Sequence, residues 1–197
     1  MNLLSHNFNF LLVFKEGVNM ISAIVCADAN FGIGCQGKLL DTIPEDMKFF
    51  KKKTNNSIVI MGRKTYDSLT NKPLPDRINI VVTSNIDDRN LMEVRKEGII
   101  YAEINAIKGV LENSKILPYN IYIIGGGTIY KELLPYCERI YITKILDTYD
   151  NVDTYFPNID AMLEWILTSE SDIKEYNGIK YKFCVYDRYD KIEVNNK

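Results

Sequence analysis

Histidine is nearly absent from this chain of 197 residues, in which His6 is the only one. A Ser-His-Asp triad, a Cys-His dyad or a zinc site built on several histidines therefore cannot be assembled within one chain. The four cysteines, Cys26, Cys35, Cys137 and Cys184, have no CxxC spacing, so we expect reduced thiols rather than a disulfide scaffold. If the chain is an enzyme, its catalysis must use carboxylates, backbone dipoles or a cofactor.

A strong charge of either sign is also missing. The formal net charge is -2 and the isoelectric point is about 5.6, which does not fit a general nucleic-acid binder. From Met20 to Lys197 no apolar stretch is long enough to span a bilayer. With 46% hydrophobic and 25% charged residues, the composition is typical of one globular domain. We therefore expect a cytoplasmic protein with neither nucleic-acid nor membrane partners.

The amino-terminal segment differs from the rest of the chain. Residues 3–14 are apolar, but they lack the basic start and the small-x-small cleavage site of a signal peptide. Lys15-Glu-Gly-Val-Asn-Met20 can be encoded by codons that place a purine-rich ribosome-binding sequence just before an ATG. We therefore predict that residues 1–19 are a translated or otherwise non-native leader, that residues 20–190 form the domain and that residues 191–197 are a short polar tail. A functional amphipathic extension is the alternative.

Short apolar runs rich in β-formers alternate with helical patterns along the domain. Strands are predicted at 21–27, 57–61, 77–84, 98–101, 120–124 and 139–145, and helices at 44–53, 62–69, 104–113 and 125–134. Two last strands, 165–175 and 179–189, flank Asn177-Gly178, a strong hairpin signal. This alternation predicts an α/β fold with a mostly parallel sheet and an antiparallel carboxyl-terminal edge.

Three glycine clusters are candidates for phosphate binding. Gly32-Ile-Gly34-Cys-Gln-Gly37 matches the dinucleotide fingerprint GxGxxG, but it follows its strand by four residues and precedes the helix at Pro44 by seven. We reject that interpretation and expect a mobile loop able to act as a lid. Gly62 to Thr65 and Gly125 to Thr128 instead join a strand directly to a helix, where free N–H groups suit phosphate. Each alone could be a tight turn, but the pair favours a dinucleotide.

Two charged residues stand among apolar ones. Asp46 shares a helix face with Phe49 and Phe50, so its carboxylate would be desolvated, with a raised pKa, unless a partner compensates. An acid that stabilises the helix dipole is the plainer interpretation, and it suits Glu45 better. Arg77 opens an apolar strand and is either a solvated charge or a planar fork for a carboxylate.

Together these segments resemble the dihydrofolate reductase family from residue 20 to about 187. The order and spacing of short motifs carry the resemblance, among them Ile43-Pro-Glu-Asp-Met-Lys-Phe-Phe50, Val59-Ile-Met-Gly-Arg-Lys-Thr65, Arg77-Ile-Asn-Ile80, Ile123-Ile-Gly-Gly-Gly-Thr-Ile-Tyr130 and Asp153-Thr-Tyr-Phe-Pro157. The resemblance implies a single α/β domain with a central, mostly parallel eight-stranded sheet, an antiparallel carboxyl-terminal edge and about four helices. It also implies NADPH-dependent reduction of 7,8-dihydrofolate, with hydride to C6 and a proton to N5, in one-carbon and thymidylate metabolism.

The same resemblance implies the substrate site. Asp46 would be the one ionisable group in the pterin pocket, where it holds the ring and assists protonation of N5, and Thr143 would hydrogen-bond it. Arg77 would pair with the α-carboxylate of the glutamate tail. The other implied substrate-binding residues line the pterin and aminobenzoyl rings, and they are Ile24, Met47, Phe50, Leu69 and Ile124. Dihydrofolate and antifolate inhibitors are the implied ligands of a monomeric enzyme.

The implied cofactor is NADPH, and no metal is implied. Arg63, Lys64 and Ser84 would receive its 2′-phosphate. Thr65 and the glycines before Thr128 would meet the pyrophosphate, and Tyr130 would border the nicotinamide. The implied cofactor-binding residues are Cys26, Ile33, Gly34, Gly62, Arg63, Lys64, Thr65, Ser84, Gly125, Gly126, Gly127, Thr128, Ile129 and Tyr130. A cis peptide bond is implied between Gly125 and Gly126.

The chain departs from the family pattern at two positions. Leu40-Asp41 stands where many members have Pro-Trp, which puts the proton route and loop closure in doubt. We expect Asp41 to face solvent; if it faced the pocket, its titration would couple to that of Asp46. Thr128 stands where arginine is common, so weaker cofactor binding is expected. The alternatives are a reductase of the same fold acting on a pyrimidine intermediate of riboflavin synthesis, and a non-catalytic folate- or nucleotide-binding homologue.

Overall fold

The computed structural model of the chain describes residues 19–84, 92–94, 99–114 and 117–191. The predicted leader, except for its last residue, and residues 192–197 of the predicted tail lie outside this part. The strands are β1 Ile21–Ala27, β2 Gly32–Gly34, β3 Ile58–Gly62, β4 Ile78–Val82, β5 Met92–Val94, β6 Ile99–Ala102, β7 Ile121–Gly125, β8 Arg139–Ile145, β9 Thr154–Tyr155, β10 Trp165–Glu170, β11 Lys174–Tyr176 and β12 Ile179–Arg188. The helices are α1 Pro44–Thr54, α2 Arg63–Ser68, α3 Ile104–Glu112 and α4 Gly127–Leu133.

One mixed sheet organises the molecule. Its eight longer strands follow the order β10-β12-β8-β1-β7-β3-β4-β6. The six from β8 to β6 are parallel, and β12 and β10 add the antiparallel edge. The predicted mostly parallel, eight-stranded sheet is therefore confirmed. Two three-residue strands, β5 beside β6 and β11 beside β12, extend it to ten, and β2 pairs with β9 in a separate small sheet.

The helices cover both faces of this sheet because side chains alternate along each strand. On β1, Ala23 and Val25 belong to the apolar cluster that contains the buried residues of α3 and α4. Ile24, between them, belongs to the cluster on the opposite face, against which Phe49 and Phe50 of α1 pack. The face covered by α1 and α2 is the one that carries the candidate substrate residues.

Local chemistry explains where α1 begins and ends. Pro44 occupies the first turn, where a missing N–H costs nothing, and Glu45 and Asp46 place negative charge at the positive end of the helix dipole. Lys51 to Lys53 occupy the last turn, where positive charge is favoured. Among the described helices none is long and apolar enough to cross a membrane.

The prediction of one continuous strand over 165–175 is wrong, because this segment forms two strands, β10 and β11. The register shifts between Leu167 and Ser169. The hydroxyl of Ser171 then accepts the N–H of Phe183 at 3.0 Å, an interaction that a regular strand would make through a carbonyl. Asn177 and Gly178, with φ of 50° and 82°, form the predicted hairpin turn between β11 and β12.

Two exposed glycines give opposite expectations for the same substitution. A Cβ added at Gly178 or at Gly109 of α3 would meet no atom within 4 Å, so only backbone conformation separates them. Gly178→Ala should lower the free energy of unfolding by about 1–2 kcal/mol, because its φ of 82° strains an L-residue. Gly109→Ala should raise it by about 0.5–1 kcal/mol, because alanine favours the helix. Urea unfolding measures both, and changes of equal sign would contradict this account.

Candidate active site

Most of the candidate residues lie at or near the carboxyl ends of the parallel strands, which is where open α/β sheets bind ligands. Arg77 differs, because it directly precedes β4. β1 and β8 lie side by side, with Cys26 opposite Thr143. β3 and β7 end in the two glycine turns that lead into α2 and α4. The loop after β1, residues 28–43 (the β1–α1 loop), and α1 complete the surroundings.

Asp46 is held by the sheet. The hydroxyl of Thr143, which is buried on β8, donates a hydrogen bond to Asp46 Oδ1 at 2.6 Å, so the implied contact between these residues is confirmed. Burial raises the pKa of the Asp46 carboxyl group, and the Thr143 hydrogen bond opposes this rise. A carboxyl group whose pKa is shifted towards neutrality can hold and deliver a proton at working pH.

Glu45, the preceding acid, has the opposite environment. It accepts hydrogen bonds from Lys174 Nζ and from the hydroxyl of Tyr181, both at 2.8 Å. These hydrogen bonds, first that of Lys174, lower its pKa. Glu45 therefore fastens α1 to the carboxyl-terminal hairpin as an ionised group. Adjacent carboxyl groups with pKa values pushed apart indicate different roles, and only Asp46 has the environment of a proton-holding group.

Apolar side chains border Asp46. Ile24 and Ile124 are buried, and Phe50 and Leu69 are half-buried and pack on the same cluster. Met47 is 45% exposed, on the open side of α1. The resemblance implies substrate contacts for all five residues, and their apolar surfaces suit a flat ring system. The functional assignment of each is still a prediction.

Tyr130 is fixed by a hydrogen bond to the backbone. Its hydroxyl donates to the carbonyl oxygen of Ile24 at 2.7 Å, and its ring meets Phe156 edge-on, with centroids 4.8 Å apart. Burial raises its pKa far above the ordinary value, so the group stays a neutral phenol. The Ile24 carbonyl oxygen has a second lone pair and can still accept a hydrogen bond from a ligand.

Arg77 has an incompletely satisfied guanidinium group. Its Nε is buried and has no hydrogen-bond partner among the described residues. Burial lowers its pKa, which the nearby Asp76 opposes. The guanidinium carbon lies 5.9 Å from the centre of the Phe50 ring. A desolvated donor beside an aromatic ring fits a carboxylate ligand, because a carboxylate would supply the missing acceptor.

The two glycine turns face one another. A Cβ added at Gly126 would lie 3.3 Å from Thr65 Oγ1, and one added at Gly62 would lie 3.0 Å from Ile129 Cγ1. Gly125 has φ of 102°, and its peptide bond to Gly126 is cis, as the resemblance implied. The absence of side chains at these glycines leaves room beside the Gly126 backbone, which lies close to the Thr65 hydroxyl. The turns therefore fit an extended phosphate-bearing ligand such as a dinucleotide.

The three residues implied for the 2′-phosphate follow the carboxyl ends of two neighbouring strands: Arg63 and Lys64 follow β3, and Ser84 follows β4. The pairing of Gly62 with Val82 aligns these two strand ends. All three are exposed. Arg63 is partly engaged, since its Nε donates to both carboxylate oxygens of Asp67, at 3.0 and 3.1 Å. Its guanidinium carbon also lies 5.7 Å from the centre of the Tyr101 ring. A phosphate bound here would share Arg63 with Asp67.

The β1–α1 loop approaches the second glycine turn through β9. Gly32 and Gly34 pair with β9, so the first half of the GxGxxG segment is a strand and the segment is not a phosphate turn between β1 and a helix, as the spacing indicated. A Cβ at Gly127 would lie 2.9 Å from the carbonyl oxygen of Tyr155 on β9. β9 therefore lies between Ile33–Gly34 and Gly127. Thr128, the next residue, is exposed.

The expectation that Asp41 faces solvent is wrong. The residue is half-buried, and its Oδ2 accepts a hydrogen bond from the hydroxyl of Tyr149 at 3.1 Å. Its charge acts on Cys26, whose pKa is raised well above the ordinary thiol value by burial first, then by Asp46 and Asp41. Cys26 is therefore a neutral thiol. The rise in the pKa of Asp46 comes from burial, so the alternative of coupled titration with Asp41 receives no support.

Sequence reasoning missed three residues that hold the β1–α1 loop. Asp28 is buried and accepts the N–H groups of Asn30 and Gly32 on Oδ1, at 2.9 and 2.7 Å. Asp153 accepts the N–H of Gln36 at 2.6 Å, and Tyr149 bonds Asp41. An aspartate just before a glycine-containing turn signals the first contact. The other two join residues more than a hundred positions apart, and no local pattern reports such contacts.

Comparisons with known proteins agree with this geometry. The family model described as dihydrofolate reductase matches residues 20–188. The chain is 38% identical over 172 residues to dihydrofolate reductase of Buchnera aphidicola subsp. Acyrthosiphon pisum, covering 85% of this chain and 99% of that protein. It is 37% identical over 170 residues to that of Bacillus subtilis, covering 86% and 95%.

A solved structure is similar over the same region. It is dihydrofolate reductase from Enterococcus faecalis, complexed with NADP(H) and RAB-propyl, with a TM-score of 0.70 and 28% sequence identity. The similarity covers 86% of this chain and 96% of that one. The chain therefore belongs to the dihydrofolate reductase family of NADPH-dependent oxidoreductases.

Proposed function

We propose that the chain reduces 7,8-dihydrofolate to 5,6,7,8-tetrahydrofolate, with hydride delivered to C6 and a proton to N5. The observation that carries this proposal is the Asp46 carboxyl group, which Thr143 holds in an apolar site with a raised pKa. When bound, NADPH supplies the hydride. The protein must orient the two ligands, exclude water and supply a proton at the ring.

Asp46 performs the proton chemistry in this proposal. Its carboxyl group accepts hydrogen bonds from the pterin and holds a proton that reaches N5, directly or through a water molecule. The raised pKa increases its protonated fraction near neutral pH. The Thr143 hydroxyl can donate to only one partner, so its bond to Oδ1 leaves Oδ2 for the ligand.

Arg77 fixes the other end of the substrate. The glutamate α-carboxylate completes the hydrogen bonding of the Arg77 guanidinium. Phe50 lies beside Arg77 and one helix turn after Asp46, so its ring packs on the substrate rings between these two residues. This arrangement favours a folate over a pyrimidine intermediate of riboflavin synthesis, which offers no glutamate tail. A non-catalytic binder could also use Asp46 to hold the pterin, but it would not need a carboxyl group whose pKa is raised.

The cofactor's phosphates fit the opposite side of the site. Arg63, Lys64 and Ser84 would receive the 2′-phosphate, and Thr65 with the Gly125–Gly127 backbone would receive the pyrophosphate. By the family resemblance, Cys26, Ile33, Gly34 and Tyr130 would border the nicotinamide. We further propose that the enzyme is a monomer and that antifolates inhibit it.

The direct test is oxidation of NADPH by the full chain with dihydrofolate as acceptor, followed by loss of NADPH absorbance. We expect turnover with dihydrofolate and identify tetrahydrofolate as the product by chromatography. Tight binding of both ligands without turnover would refute the proposed reaction and favour a binding protein.

Asp46→Asn should separate activity from stability. The folded-state pKa of Asp46 is raised, so its contribution to stability is present below the unfolded carboxyl pKa and is lost as pH rises through the folded value. At pH 7 the variant should therefore melt no lower than the wild type, while kcat falls by roughly 10²-fold or more. The wild-type rate should also decline with rising pH, and that of the variant should not. Wild-type rates in Asp46→Asn at pH 7 would remove the proton role from this residue.

Arg77→Leu should raise the KM for dihydrofolate by roughly 10- to 100-fold and change kcat little, because it removes a charge-assisted contact far from the reacting atoms. Arg77→Lys keeps the positive charge but loses the planar guanidinium, so its KM for dihydrofolate should lie between those of the wild type and Arg77→Leu. The matched control is dihydropteroate, which lacks the glutamate carboxylate. Its KM should be the same for all three proteins, and a parallel rise would show that Arg77 acts on the pocket rather than on the tail.

Substitutions of Arg63 and of Asp67 should change the affinity for NADPH in opposite directions. Arg63→Ala should raise the KM for NADPH by roughly tenfold through loss of a phosphate contact. Asp67→Asn should lower the KM for NADPH, because Asp67 competes for the Arg63 guanidinium. NADH, which has no 2′-phosphate, is the control cofactor. Equal effects on NADH and NADPH would exclude the phosphate assignment.

A further inference from the structure

The Asp41 carboxylate has a fixed position near the end of the β1–α1 loop. Asp41 is half-buried, and its Oδ2 accepts a hydrogen bond from the Tyr149 hydroxyl at 3.1 Å. Two residues later, Ile43 is buried in a small apolar cluster with Ile145 and Tyr181. Tyr149 packs on the same cluster, so the segments that carry the donor and the acceptor are anchored to one core.

The thiol of Cys26 shows where this carboxylate lies relative to Asp46. Cys26 packs on the same apolar cluster as Tyr149, and it pairs across the sheet with Thr143, which holds Asp46. Burial raises the pKa of the Cys26 thiol, and the charges of Asp46 and Asp41 raise it further. Because the interaction between charges falls with distance, a thiol that is affected by both acids lies near both. Two acids therefore lie close to the carboxyl end of β1.

No cation among the described residues neutralises Asp41. The ion pairs found there all join lysine or arginine to other acids. The donors to Asp41 are neutral, namely the Tyr149 hydroxyl and the N–H of Thr42, the latter at 2.7 Å. Asp46 differs, because its raised pKa increases its protonated fraction. Asp41 therefore contributes the negative charge beside Cys26 that has no cationic partner.

The proposed reaction creates a positive charge in this part of the site. As hydride moves to C6 of dihydrofolate, the C4–H bond of the reduced nicotinamide breaks and a C6–H bond forms. The electron pair leaves with the hydride, so the nicotinamide ring becomes a cation, and N5 of the substrate takes up a proton. The loop that carries Asp41 also carries Ile33 and Gly34, which the family resemblance assigns to the same ring.

We propose that the Asp41 carboxylate is the counter-charge of the nicotinamide ring and favours its cationic, oxidised form over its neutral, reduced form. The inference rests on the proposed function for the identity and the place of the cofactor. Asp46 keeps its separate role at the pterin. A charge in a partly buried site acts on a neighbouring ring more strongly than it would in water, so direct contact between the two is not required.

The first test compares NADP⁺ with NADPH, which share every phosphate and differ in the charge of one ring. Asp41→Asn removes the negative charge and keeps an acceptor for the Tyr149 hydroxyl. In calorimetric titrations of the full chain, the Kd for NADP⁺ should rise by about five- to tenfold, whereas the Kd for NADPH should change by less than about twofold. Equal changes in the two Kd values would show a structural effect and overturn the proposal, as would an unchanged Kd for NADP⁺.

Two control variants separate charge from structure. Tyr149→Phe removes the hydroxyl but keeps the Asp41 charge, so it should change the two Kd values by the same factor. Glu112→Gln removes the same formal charge from an exposed position at the end of α3, on the opposite face of the sheet, and should change neither Kd. A change in the ratio of the two Kd values as large as that of Asp41→Asn, in either control, would overturn the proposal.

The second test measures the rate of hydride transfer in a single turnover with dihydrofolate. Part of the positive charge on the ring is already present in the transition state, so Asp41→Asn should slow this step by about three- to tenfold. The Kd for dihydrofolate should change by less than about twofold, because Asp46 and Arg77 hold the substrate. An unchanged rate of hydride transfer would overturn the role of Asp41 in the reaction.

The inference and the proposed function fail separately. The titrations require no turnover, so the expected change in the ratio of Kd values, in a protein that does not reduce dihydrofolate, would refute the proposed function alone. Turnover of dihydrofolate, with the same ratio of Kd values in the wild type and in Asp41→Asn, would refute the inference alone.

Discussion

The hydrogen bond from the Thr143 hydroxyl to Asp46 joins the first turn of α1 to the sheet, and the geometry of the site depends on it. Thr143 lies opposite Cys26, so its position is fixed by the pairing of β8 with β1. β1 is paired with β7 on its other side, and β7 with β3. The position of Asp46, the residue proposed to handle a proton, is therefore linked across three strand pairs to both glycine turns of the proposed cofactor site.

Glu45 and Asp46, the two adjacent acids of α1, show that the surroundings of a carboxyl group, and not the residue type, decide what it does. Glu45 points to a lysine and a tyrosine that stabilise its charged form, whereas Asp46 has one neutral donor and apolar neighbours. The first acid pins the helix to the hairpin, and the second is left with a pKa shifted upwards. The structural bonds of Glu45 hold Asp46 in an environment that a free carboxylate would otherwise avoid.

The fold was predictable because its signals are local. Buried parallel strands have continuous apolar runs, α1 has charge and proline at its ends, and Asn177-Gly178 specifies a hairpin turn. The break between β10 and β11 was not predictable, since it depends on the Ser171 side chain meeting Phe183 on another strand. The two-residue strand β9 has no periodicity from which a strand could be inferred.

The same distinction applies to the site. Asp46 and Arg77 could be named as candidates from sequence because each is a charge placed beside apolar residues. The plainer interpretation of each stayed open until the family resemblance assigned them to the substrate site. Asp41 could not be placed, because its environment is set by Tyr149, 108 residues further along the chain. Neither residue carries a pattern that marks the other, and the expectation of a solvent-facing Asp41 followed from treating a loop carboxylate as isolated.

Two of the site residues have environments that oppose folding. A raised carboxyl pKa at Asp46 and a buried Nε without a partner at Arg77 both cost stability in the free protein. Thr65 and Ile129 come so close to Gly126 and Gly62 that side chains there would crowd them. A ligand with a hydrogen-bonding ring, a carboxylate tail and phosphates would satisfy Asp46 through its ring and Arg77 through its tail. Its phosphates would occupy the space beside the two glycine turns. The Asp46 carboxyl group and the Arg77 guanidinium thus indicate the chemistry of a ligand. Their positions, in the first turn of α1 and just before β4, limit the length of a molecule that can bind both.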